Sequence, residues 1–196
     1  MGYNADGSNK TQLTNIYKPG QPAYSPDGTE IAFVQYHDDY RTDLMVMDSN
    51  GANIRPILSE GANQLPRWSP NGSKIVFMRE TVHDNIDYDV FTINADGSDL
   101  TQLAFEGYNA DPCWSPDGSK IIFASNRDGN FDIYTMNVDG SGVTKIIENG
   151  RQPRYNSDGK KIVFQREDQN VFVADADGKN VIQMTNSDRY INHPTW

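Results

Sequence analysis

The chain has 196 residues, enough for one sizeable domain, and its 22% charged and 36% hydrophobic residues exclude a disordered chain. A formal net charge of −10 repels nucleic-acid backbones and anionic membrane surfaces, so neither is an expected partner. The single cysteine, Cys113, excludes an internal disulfide, and no apolar run reaches the length of a membrane-spanning helix, so no membrane insertion is expected.

Residues 1–16 read as the tail of one strand, the turn Asn4-Ala-Asp-Gly7 and a following strand from Lys10 to Thr14 that carries Thr11-Gln-Leu13. Met1-Gly-Tyr-Asn lacks the basic region and apolar stretch of a signal peptide and starts inside a repeat, so the chain reads as part of something longer. Next comes Tyr24-Ser-Pro-Asp-Gly28, then the apolar run Ile31-Ala-Phe-Val34, the acidic loop His37 to Asp43, the run Leu44-Met-Val-Met47 and the turn Asp48-Ser-Asn-Gly51. Trp68-Ser-Pro-Asn-Gly72, Trp114-Ser-Pro-Asp-Gly118 and Tyr155-Asn-Ser-Asp-Gly159 open three further copies, and Trp196 opens a fifth. The aromatic positions 24, 68, 114, 155 and 196 are spaced by 44, 46, 41 and 41 residues, a period that signifies a repeat architecture.

Each unit contains two apolar runs too short for helices and rich in β-branched and aromatic residues. Proline sets the second residue of a turn and glycine supplies its left-handed residue, so the Trp or Tyr strand pairs with the Ile-x-Phe strand. The Asp-Gly turn joins the second run to a Gln-Leu or Lys-Ile string. Four antiparallel strands a, b, c and d per unit, with almost no helix, predict an all-β propeller of four-stranded blades. The predicted blades cover about 20–58, 63–104, 110–148 and 151–185, with partial strands at 1–16 and 191–196, in one domain spanning 1–196. Tyr24, Trp68, Trp114 and Tyr155 are expected to wedge between blades. Cys113 is expected to be a packed or channel-side thiol. Unpaired strand edges at the two ends predict self-association into a homo-oligomer.

Pro112 to Gly140 carries Pro-x-Trp-Ser-Pro-Asp-Gly-x-Lys-Ile-x-Phe and Asp-Ile-Tyr-x-Met-Asn-x-Asp-Gly. This repeat resembles that of the TolB-type β-propellers, and the resemblance covers essentially the whole chain; the unit at 153–178 departs most, with Asn156-Ser157 replacing Ser-Pro. The resemblance implies a six-bladed ring in most relatives and a periplasmic or extracellular location. The namesake binds a peptidoglycan-associated lipoprotein. Similar blades gate prolyl oligopeptidase-type peptidases and build oligogalacturonide lyases with histidine-bound metal.

No hydrolase elbow, phosphate loop, zinc-protease motif or complete calcium loop is present in the sequence, so the expected function is non-catalytic binding of a protein or ligand. The alternative is a piece of a larger enzyme, a peptidase gate or a metal-dependent lyase. The loops b–c and d–a must share one face. Two b–c loops read His-Asp, four residues, Asp: His37-Asp38 to Asp43 and His83-Asp84 to Asp89; the third is Arg127-Asp128 to Asp132. Asp38, Asp84 and Asp128 are candidate oxygen ligands for calcium, although no cofactor is required; Asp43, Asp89 and Asp132 are expected to cap strand c. Gln21, Leu65, Asp111, Gln152 and His193 precede the strand-a positions that line the channel mouth, where Gln21, Asp111, Gln152, His193, His37 and His83 are candidate ligand contacts.

Overall fold

A computed structural model describes residues 11–82 and 86–186. Every regular element in them is a strand. β1 (Pro19–Tyr24), β2 (Glu30–Tyr36), β3 (Thr42–Asp48) and β4 (Arg55–Leu58) form the first antiparallel sheet. β5 (Asn63–Trp68), β6 (Lys74–Val82), β7 (Ile86–Asn94) and β8 (Thr101–Ala104) form the second. β9 (Asn109–Trp114), β10 (Lys120–Ser125), β11 (Asp132–Asn137) and β12 (Thr144–Ile147) form the third. β13 (Arg151–Tyr155), β14 (Lys161–Gln165), β15 (Val171–Asp175) and β16 (Ile182–Gln183) form the fourth. The all-β propeller architecture is therefore as the repeat predicts. The expected terminal strand at 191–196 and most of that at 1–16 lie outside the described residues.

The Ile-x-Phe pattern works because neighbouring strand residues point to opposite faces. Ile75, Phe77, Phe91 and Ile93 of the second blade meet Ala32, Leu44, Val46 and Ile57 of the first. Val76 and Val90 point the other way and meet Trp114, Ile121, Phe123, Tyr134 and Met136 of the third blade. The same division packs Ile122 and Ile133 on Ile162, Phe164, Phe172 and Ala174 of the fourth. Both faces of a blade are thus core, which is why its strands are apolar throughout. Phe33, Phe77, Phe123 and Phe164 hold one repeat position and are fully buried, each contributing about 1.5–3 kcal/mol.

The strand-a aromatics behave as expected in two blades. Trp68 donates its indole N–H to the Ala23 carbonyl at 3.0 Å, and Trp114 donates to the Arg67 carbonyl at 3.1 Å, in each case in the preceding blade. Tyr155 packs partly buried on the third interface. Tyr24 departs from the expectation and is 56% exposed. The aromatic packs on the preceding blade, and among the described residues only Leu13 and Ile16 cover that side of the first.

The c–d turns also act between blades. Gly97 and Gly140 have φ of +91° and +84°, and a Cβ on them would meet the Ile57 and Leu103 carbonyl oxygens of the preceding strand d at 2.8 and 2.9 Å. Gly51 and Gly178 approach Leu13 and Ile146 in the same way. Leu13 therefore takes the place that a strand-d residue holds on the other blades. The glycines close a hairpin and let two backbones touch.

Candidate ligand site at the channel mouth

The b–c and d–a loops do share a face. Lys18, ahead of β1, binds Asp38 of the b–c loop at 2.6 Å, and Tyr17 donates to the same carboxylate at 3.3 Å. In the third blade Arg127 donates to the Asn109 side chain at 3.1 Å. Carboxylates early in strand c stitch these loops together; Asp89, expected to cap the strand start, stands inside β7, which begins at Ile86. Asp89 is fully buried and accepts from Thr81, Gln102 and Asn109 at 2.8, 2.7 and 3.2 Å. Asp132 accepts from the Asn149 backbone N–H and from Lys145. Asp43 pairs with His37 at 3.0 Å.

Each strand a carries a bulge immediately before a proline: Pro22, Pro66, Pro112 and Pro153. Gln21, Leu65, Asp111 and Gln152 have φ of 53°, 54°, 55° and 53°, and strand pairing shifts register there in every blade. The proline that follows has no N–H to give to the ladder, so the slip loses little hydrogen bonding. The left-handed conformation at a non-glycine residue costs about 1–3 kcal/mol each, so the mouth is a strained ring held by its surroundings. Gln21 helps to hold it: its side-chain oxygen accepts the Leu65 N–H of the next blade at 2.6 Å.

The predicted contacts divide among several places. Gln21 and Leu65 line one cavity, and Leu65 and Asp111 line a second beside it. Gln152 occupies the same bulge position on the fourth blade. His37 is engaged with Asp43 and lies outside both cavities. His83, Asp84 and His193 lie outside the described residues. Asp38 is held by Lys18, and Asp128 accepts from Tyr134 at 2.7 Å and from Lys145 at 3.1 Å. These contacts hold both carboxyls below the usual carboxylate range, the Lys18 and Tyr134 hydrogen bonds being the largest causes respectively. Among the described residues no three acidic, histidine or cysteine side chains gather as a metal centre would need.

The second cavity, of about 360 Å³, is lined by Gln64, Leu65, Met78, Tyr108, Asp111, Phe131 and Arg151. Tyr108 stands edge-on to Phe131 at 5.7 Å and tilted against Tyr88 at 5.2 Å. The Arg151 guanidinium lies 3.8 Å from the Phe131 ring centre. Gln64 donates to the Tyr88 hydroxyl at 2.9 Å. Burial and the nearby Glu80 carboxylate push the Tyr88 phenol up to about 12, and burial followed by Asp111 raises that of Tyr108. Both rings are therefore neutral hydrogen-bonding groups near neutral pH. Aromatic faces, a guanidinium and a carboxylate bearing on one small concavity can hold an apolar side chain and the polar backbone around it. Motif spacing did not single out these rings. A signal existed in the recurring pairs Tyr88-Asp89 and Phe131-Asp132, which set an aromatic beside each buried cap.

A family model described as the TolB beta propeller domain matches residues 2–196. The structure of a TolB-type protein from Agrobacterium tumefaciens superposes with a TM-score of 0.75 at 26% identity, covering 86% of this chain and 67% of that one. TolB from Acinetobacter baumannii gives 0.78 at 21% identity over 96% of this chain and 49% of its own length. An oligogalacturonate lyase in complex with manganese gives 0.71 at 20% identity, covering 89% and 56%, a likeness of fold. Comparison with curated proteins gave no match.

Proposed function

Since the chain belongs to the TolB β-propeller family, we propose that it is a non-catalytic scaffold that binds a peptide segment of a protein partner at the channel mouth. The observation that carries the reading is the cradle of Tyr88, Tyr108 and Phe131 with Arg151 stacked above it, set among the strained bulges. Strain of this kind collects at binding sites, and rigid aromatics with an arginine are the side chains that anchor interfaces. An extracytoplasmic location is part of the proposal and rests on family membership. Self-association is also part of the proposal, favoured by the exposed Ile182 and Met184 at the outer strand of the fourth blade.

The test is selection of displayed random peptides on the protein, followed by titration of the enriched peptides against Y108A and R151A. The reading expects enriched peptides that weaken by about tenfold or more on either variant, as interface anchors do. Peptides that bind both variants as tightly as the parent would overturn it.

A further inference from the structure

Strand a places one residue of each blade immediately before its aromatic: Ala23, Arg67, Cys113 and Arg154. Two of these four are arginines, and both are tied to β9. Arg154 is 9% exposed and donates from Nη1 to the Asp111 carbonyl at 3.1 Å and to the Pro153 carbonyl at 2.7 Å. Arg67 receives the Trp114 indole N–H on its own carbonyl. Its guanidinium makes no ion pair or hydrogen bond among the described residues, and its Nε is buried without a partner. It lines the cavity of about 230 Å³ formed with Gln21, Pro22, Leu65 and Pro66. Arg41 is matched with Asp39, Arg55 with Glu30 and Arg127 with Glu106; Arg166 also has a buried Nε without a partner, but its guanidinium lies over the Phe172 ring, 4.5 Å from the centroid.

An unsatisfied buried guanidinium nitrogen costs stability, and a second cation within reach adds to the cost. Burial, followed by the charge of Arg154, lowers the Arg67 pKa, so the two cations feel one another; Cys113 and Asp111 act in the opposite sense but neither bonds to Arg67. A chain with a net charge of −10 has acids to spare for an ion pair. An arginine beside a cavity, its fork of N–H donors not matched by an acid, suits the oxygens of a carboxylate or phosphate.

We infer that Arg67 anchors an oxyanion-binding site in the cavity it forms with Gln21, Pro22, Leu65 and Pro66, next to the aromatic cradle, with which it shares Leu65. The ligand class is a small carboxylate or phosphate group, free or carried on a larger molecule. This site stands independently of the peptide reading, because its hydrogen-bond donors are not those of the cradle.

The experiment is calorimetric titration of the whole chain with inorganic phosphate and, separately, with succinate, using sodium chloride at matched ionic strength as control. Saturable binding is expected, weakened about 10- to 100-fold in R67Q, the loss of one or two charge-assisted hydrogen bonds. R67K, which keeps the charge without the fork, should fall between the two. Without anion, R67Q should melt no lower than the parent, since it removes an unpaired group. A response to phosphate alone identifies a phosphoryl ligand, and a response to succinate alone a carboxylate. Absence of saturation with both probes, or unchanged affinity in R67Q, would overturn the assignment.

Discussion

Replacing Gly140 by alanine separates the two duties of the c–d turn glycine. Its φ of +84° imposes a left-handed backbone, which costs an alanine about 1–2 kcal/mol. The new Cβ would also stand 2.9 Å from the Leu103 carbonyl oxygen and 3.2 Å from its Cα, both backbone atoms of the neighbouring blade. Forcing such a contact apart adds about 1–3 kcal/mol. Gly28, in the a–b turn of the first blade, has φ of +71° and nothing within 4 Å of a Cβ. G28A therefore measures the conformational cost alone. Urea unfolding should show G140A less stable than G28A by about 1–3 kcal/mol, with Tm lowered by about 2–4 °C for each kcal/mol. Equal losses within about 0.5 kcal/mol would refute the claim that the turn glycine sets blade-to-blade distance.

Further outcomes follow from the same contacts. D89A should lose about 1–3 kcal/mol, because the buried carboxylate that accepts from Thr81, Gln102 and the buried Asn109 is removed; chemical denaturation measures it. W114F removes the indole donor to the Arg67 carbonyl and should cost about 1 kcal/mol or more by the same assay. Serine hydroxyls hold Asp27, Asp96, Asp117 and Asp139 below their ordinary 3.8, so the stability they contribute is present above that value and lost as pH falls through the lower folded values. Their fourfold replacement by asparagine, which the second blade already uses at Asn71, should flatten the acid limb of a Tm-versus-pH curve. Calcium titration should give no saturable heat from Asp38 or Asp128, since each carboxylate is already held by a lysine; saturation that disappears in D38N or D128N would contradict this.

Much of the fold was legible because a blade is a local object. Its turns need glycine with positive φ and its two central strands need apolar side chains on both faces, and each demand leaves a residue type at a fixed offset. Gly28, Gly72, Gly118 and Gly159 all have the expected left-handed backbone, with φ between 71° and 73°. Relations between blades are less visible. Tyr24 carries the same motif as Trp68, yet its burial depends on what lies beside the first blade. Leu65 and Asp111 share one bulge conformation although one is apolar and the other acidic, since the following proline and the pairing partner set the backbone. The aromatic cradle joins Tyr88, Tyr108 and Phe131 from two blades and three different loops or strand ends, and no single repeat contains it. The buried, unpartnered Nε of Arg67 is likewise defined by what its neighbours in space fail to supply.

The most direct test of the binding-face claim is amide chemical-shift mapping by NMR, with a displayed-library peptide titrated into the isotope-labelled protein. The account predicts that the largest shifts fall on Gln64, Leu65, Tyr88, Tyr108, Asp111, Phe131 and Arg151, the residues of the cradle and its rim. Shifts concentrated instead on the opposite turns, at Ser69, Asn71, Lys74 and Asp117, would contradict it and move the binding face to the cleft those residues line.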